Sequence, residues 1–216
     1  MKRLFLAIAL VFGLVATAAA QINVGGRLGV NMSNFRGEET DDFSFSLGFN
    51  AAVAGKYAIN TMFSAAPELG VDFRRVTNSK EDDFTFSAWV LQIPLMFRAN
   101  LTPEFYVEAG PEIGFILSSK AEFEGPNMTE EEIEAFKHNF GNTMTEFNMF
   151  EDTKTFEFGI AAGLGYTVIP NLDVNFRFVM GFTNTFEDLD LGEAGGSEEV
   201  DVQHMQISLG ATYWFL

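Results

Sequence analysis

The sequence contains no cysteine. That absence removes disulfides, thiolate metal centres and cysteine nucleophiles together. Histidine is nearly as scarce, at two residues, His138 and His204. Neither a G-x-S-x-G elbow nor an H-E-x-x-H motif occurs. Positive charge is also short: 13 Lys and Arg stand against 30 Asp and Glu, a net charge of -17. No nucleic-acid partner is expected of such a chain, because phosphate backbones are held by basic patches. Finally, no apolar stretch after Gln21 approaches the roughly 20 residues of a membrane-spanning helix. Any membrane reading must therefore rest on strands.

What the chain does have is 25 phenylalanines and 20 glycines in 216 residues. Aromatics favour pleated surfaces, and glycine inside a strand marks a place with room only for backbone. The length suits one domain of barrel type. The first twenty residues read as a secretory signal: Lys2 and Arg3 supply charge, Leu4 to Val15 a short apolar run, and Ala18-Ala19-Ala20 a cleavage site. We expect residues 1–20 to be a signal peptide and 21–216 to form the barrel domain.

A transmembrane β-strand alternates lipid-facing and lumen-facing side chains over about ten residues. From Phe43 to Tyr57, one face carries Phe43, Phe45, Leu47, Phe49, Ala51, Val53 and Tyr57. The other carries Ser44, Ser46, Gly48, Asn50, Ala52, Ala54 and Lys56. The same split recurs over about 63–74, 88–98, 105–117, 155–166, 172–183 and 204–215, with a weaker first strand from Ile22 to Met32. Eight segments result. A soluble barrel would also alternate, but here the bulky Phe, Leu and Ile side chains share one face and Gly, Ser, Ala and Thr the other. Small residues fit inside a narrow eight-strand lumen and bulky ones fit against lipid. The expected fold is an all-β, eight-stranded, antiparallel up-and-down transmembrane barrel.

The connections alternate in length. Those near Ile59-Asn60-Thr61, Asn100 to Pro103 and Pro170-Asn171 are tight; those at Ser33–Asp42, Thr77–Asp83, Ser119–Asp152 and Asn184–Asp201 are long. Such barrels turn tightly in the periplasm and loop outside, so both termini are expected in the periplasm. The long loops also hold most of the acids, including Glu38, Glu39, Glu81, Asp82, Asp83, Glu130, Glu131 and Glu132. This acidic rim is a candidate surface for an extracellular partner or a divalent cation. Asp188-x-Asp190-x-Gly192 faintly resembles a calcium loop, but its glycine is displaced and flanking helices are not evident. In the third long loop, Thr129 and Glu132 form a capping box, and Ile133, Phe136 and Phe140 follow at helical spacing. A short helix is expected there, at about 129–140.

Charges on the small-residue faces are expected to fill the lumen: Glu68, Asp72, Glu108, Glu112, Glu157 and Asp173 against Arg27, Lys56, Arg74, Arg98 and Arg177. Buried charges must be paired, which predicts a salt-bridged plug. His138 falls in the loop helix and His204 points inward near the outer end of the last strand. His204 stands beside acidic loop residues, but no motif sets it between an orienting carboxylate and a nucleophile, so we assign no catalytic, cofactor-binding or metal-binding residue. Three readings follow: a structural or interaction barrel with acidic loops, a narrow porin for small solutes, and an outer-membrane enzyme. The first is preferred; the chain is expected to need no cofactor, to be monomeric, and not to be an enzyme.

The run Leu91-Gln92-Ile93-Pro94-Leu95-Met96-Phe97-Arg98, then Phe105-Tyr106-Val107-Glu108-Ala109-Gly110-Pro111 and Gly114, resembles the PorT-like outer-membrane β-barrel family ("porin family protein"). Gly163-Leu164-Gly165-Tyr166 and Ser208-Leu209-Gly210 before Tyr213 fit the same pattern across the mature chain. The resemblance implies an eight-stranded barrel in the bacterial outer membrane, with no assigned activity for most members. The partners this implies are outer-membrane lipid and, during biogenesis, the barrel assembly machinery. At the C-terminus, Tyr213 and Phe215 keep the outward aromatic register that this machinery reads, although Leu216 follows.

Overall fold

The computed structural model describes residues 22–37, 40, 43–78, 84–123, 146–148, 154–185, 189–190, 197–198 and 202–215. The expected signal peptide, the helix at 129–140 with His138, and most acidic loop residues, including those around Asp188, lie outside the described residues.

Eight long strands run along the described chain: β1 (Ile22–Gly37), β2 (Phe43–Ala58), β3 (Phe63–Asn78), β4 (Phe84–Asn100), β5 (Phe105–Phe123), β6 (Phe156–Ile169), β7 (Leu172–Asn184) and β8 (Val202–Trp214). Each pairs antiparallel with its sequence neighbours, and β1 pairs with β8 to close the barrel. Closure leaves no free edge, so every backbone group inside the hydrocarbon layer has a partner. A three-residue strand, Glu146–Asn148, adds to the rim at β5.

Alternation drives the fold. Along β3, Ser64, Ala66, Glu68, Asp72, Arg74 and Val76 are buried in the lumen, while Phe63, Val71 and Arg75 face out. Outward side chains include Leu28, Leu47, Phe97, Leu164, Phe176 and Leu209, all with open surface. Left to water these would form an apolar belt; against lipid they form the hydrocarbon-facing band. Phe49, Phe73 and Trp89 stack side by side on adjacent strands toward the long-connection rim, with ring centroids 5.1–5.6 Å apart. Tyr213 and Phe215 pair at the short-turn rim.

Strands of 13–19 residues exceed the 9–11 or so needed to cross a bilayer. The excess lies at the long-connection rim, where β1 continues past Met32 to Gly37 and stays paired with β8 as far as Val202. Ser33, Thr77 and Ser119, expected in loops, are thus in strands. The physical reason is that ladder hydrogen bonds persist beyond the lipid even where the lipid-facing apolar signal stops.

Near that rim the ladder slips three times, between Phe45 and Phe49 on β2, between Trp89 and Val90 opposite β5, and between Gln203 and Met205 on β8. The second slip changes the parity of β5: Ile116 and Ser119, an odd number of residues apart, are both buried. A bulge of this kind re-aims side chains without breaking the strand.

Candidate functional site

An eight-stranded lumen is wide enough only for side chains, so its content decides what the barrel can do. The filling is layered. Nearest the short-turn rim, Arg98 donates to Glu108 at 2.8 Å and to Asp173 at 3.0 Å. Asp173 also accepts from the Trp214 indole at 2.9 Å and the Thr167 hydroxyl at 2.8 Å. Arg98 stacks its guanidinium over the Tyr106 ring, 4.4 Å from the centroid. Tyr106 in turn lies across Gly165, where an added Cβ would sit 2.2 Å from the ring. Only glycine admits that close approach.

The next layer centres on Arg177. It grips Glu68 through both terminal nitrogens, at 2.8 and 2.6 Å, and Glu108 through Nε at 2.5 Å. A two-pronged guanidinium–carboxylate pair of this sort is the stronger form of the interaction. Above it Asp72, with no exposed surface, accepts from Asn31 at 2.5 Å, Arg74 at 2.7 Å, Gln92 at 3.0 Å and Gln206 at 3.1 Å. Arg74 reaches on to Glu157 at 2.6 Å and lies 3.7 Å from Glu112. Gln92 bridges the layer by donating to Glu112 at 3.0 Å as well.

Toward the long-connection rim the lumen becomes apolar. Phe35, Val76, Phe86, Ala88, Val90 and Ile116 pack into one buried cluster, with Phe43 and Val202 against it. The expectation of a lumen filled by small residues and charges therefore needs correction: its outer part is a hydrophobic cap. These residues occupy inward positions on extended strand ends, where the strictly polar inner face gives way.

Not every expected charge finds an opposite one. Arg27 lies beneath the lumen floor of Gly210, where a Cβ would meet its Nη2 at 2.7 Å. From there it donates to the neutral Asn50, Asn175 and Ser208 at 2.8, 3.2 and 3.5 Å. Lys56 sits at the short-turn rim with its ammonium 4.5 Å from the Trp214 ring centroid. Neither has a carboxylate within salt-bridge distance among the described residues. So the structure joins Arg74, Arg98 and Arg177 to all six lumen acids, and leaves Arg27 and Lys56 apart.

His204 is buried between the upper ionic layer and the cap. It lines a void of about 10 Å³ shared with Arg74, Glu112, Glu157 and Thr183. Its Nε2 makes no hydrogen bond among the described residues. Asn31, Gln92, Gln206 and Trp214 stand on inward positions in sequence, yet their roles as bridges emerge only from the closed barrel. Among the described residues no three acidic or histidine side chains group to hold a metal.

A family model described as "Outer membrane protein beta-barrel domain" matches residues 17–187. Among solved structures, Neisserial surface protein A is similar with a TM-score of 0.53 at 12% identity, covering 89% of this chain and 97% of that one. The attachment invasion locus protein Ail of Yersinia pestis, solved with the heparin analogue sucrose octasulfate, gives 0.50 at 17% identity, covering 90% and 99%. At such identities the likeness is one of fold. Comparison with curated proteins yields no match.

Proposed function

The chain belongs to the outer membrane protein beta-barrel domain family and lies in the bacterial outer membrane; from that premise we propose that it works as a closed, monomeric barrel with a structural or interaction role, rather than as a pore or an enzyme. The observation that carries this reading is the continuous filling of the lumen. Three ionic layers and an apolar cap follow one another, and the two voids between the uppermost layer and the cap are about 10 Å³ each, room for about one water molecule apiece. A wider depression of about 520 Å³ opens at the short-turn rim, but it is floored by Arg98, Tyr106 and Asp173. Ions entering there meet a desolvated network in which each carboxylate is already bonded.

Contacts with the cell's surroundings then fall to the long connections, whose acids suit an extracellular partner or a divalent cation. Within the family, the Ile93-Pro94-Leu95 and Tyr106 to Pro111 runs support a PorT-like reading, and the proposal includes export with cleavage after Ala20. Planar-bilayer recording on the purified full chain tests the closed lumen. We expect no stable, large single-channel current at either polarity; such a current would overturn the proposal in favour of a porin.

A further inference from the structure

The half of the lumen nearest the short turns carries a surplus of positive charge. Among the described residues there, Arg27, Lys56, Arg98 and Arg177 stand against Glu68, Glu108 and Asp173. In a chain of net charge -17, this local inversion of sign needs a physical reason. Arg98 and Arg177 take up the three acids between them. Arg27 is bonded to neutral groups. Lys56 is left as the cation with neither a carboxylate nor a hydrogen bond among the described residues.

Lys56 lines the depression of about 520 Å³ at the short-turn rim, bounded by Thr61 of the first short turn and Leu101 to Pro103 of the second. That volume falls in the range of small-molecule sites, about 300–1,000 Å³. The Lys56 ammonium lies 4.5 Å from the Trp214 ring centroid, and the Arg98 guanidinium 5.5 Å from the same centroid. The ring is fixed by its own indole N–H, which donates to Asp173. Lys56 is therefore positioned by an aromatic face instead of an acid, and its charge stays available to a ligand. Arg98, 2% exposed, floors the same depression, and its Nη2 has no hydrogen-bond partner among the described residues. Asp173 also lines the depression, but Arg98, Trp214 and Thr167 already donate to it. Thr61 and Asn100 add a hydroxyl and an amide, and Leu101 and Pro103 add apolar surface.

We infer that this depression is a binding site for a small organic anion, its carboxylate or phosphate on Lys56 and Arg98 and its apolar part against Leu101 and Pro103. The short turns of such barrels face the periplasm, so the ligand is a periplasmic solute. The site stands whether or not the lumen above it conducts.

Titration of the full chain in nanodiscs of zwitterionic phosphatidylcholine tests it, with hexanoate, hexyl phosphate, hexanol and hexylamine as probes. The chain has two tryptophans, so the Trp214 indole N–H is one of two such signals in a nitrogen–proton spectrum, and Trp89→Phe assigns it. Hexanoate and hexyl phosphate should shift that signal saturably in wild type, and equally in R75Q at the opposite rim. K56Q should bind both roughly tenfold more weakly, the equivalent of one charge-assisted contact. Hexanol and hexylamine share the chain but lack the negative charge, and should not saturate. Equal binding of hexanoate by wild type and K56Q, or equal binding of hexanoate and hexylamine by wild type, would overturn the site. Loss of hexanoate binding when phosphatidylglycerol is added to the disc would assign the depression to a lipid headgroup and refute a soluble ligand. Should K56Q fail to fold, the probe series on wild type decides by itself.

Discussion

Replacing Arg177 with methionine tests the ionic filling most directly. Arg177 supplies both hydrogen bonds that reach Glu68 and one of those that reach Glu108. Glu108 keeps its bond from Arg98 at 2.8 Å. Glu68, at 3% exposure, loses every donor it has among the described residues. Removing one partner of a buried ion pair costs about 3–5 kcal/mol, because the stranded charge stays desolvated. Since Glu108 is rescued, the loss should fall near the low end, about 3 kcal/mol. Adding Glu68→Gln removes the stranded charge and should restore about 2 kcal/mol, a coupling within the range that contacting residues show. Urea unfolding in lipid vesicles measures both, followed by fluorescence of Trp89 and Trp214 and by electrophoretic mobility. If R177M lies within about 1 kcal/mol of wild type, or the two changes simply add, the network does not carry the stability argued for it.

Two further substitutions probe the other layers. Gly165→Ala forces a Cβ against the Tyr106 ring and should cost about 1–3 kcal/mol through overpacking. In a Tyr106→Ala background the same change should be nearly neutral, so a double-variant cycle in the vesicle assay separates crowding from backbone effects. Ile116→Ala opens a cavity in the hydrophobic cap and should cost about 2–5 kcal/mol. Because the ionic layers below stay intact, bilayer recordings of Ile116→Ala should remain as silent as those of wild type.

The side-chain period of a strand is a local property, two residues long, and so it is written in the chain. The eight-strand count, the identity of the lipid-facing residues, the tight and long connections, and the inward placement of Glu68, Asp72, Glu108, Glu112, Glu157 and Asp173 are all legible that way. Which cation meets which acid is not. Arg177 and Glu68 are 109 residues apart and meet only because the closed barrel brings non-neighbouring strands across a narrow lumen. Arg27, equally inward by sequence, is held among amides over Gly210 and misses the acids. Past Ile116 the periodicity fails for a second reason: the slip opposite β5 changes which residues face in, turning Ser119 rather than Ser118 toward the lumen. Alternation therefore determined the wall of this protein, while closure, stagger and one bulge decided what fills it.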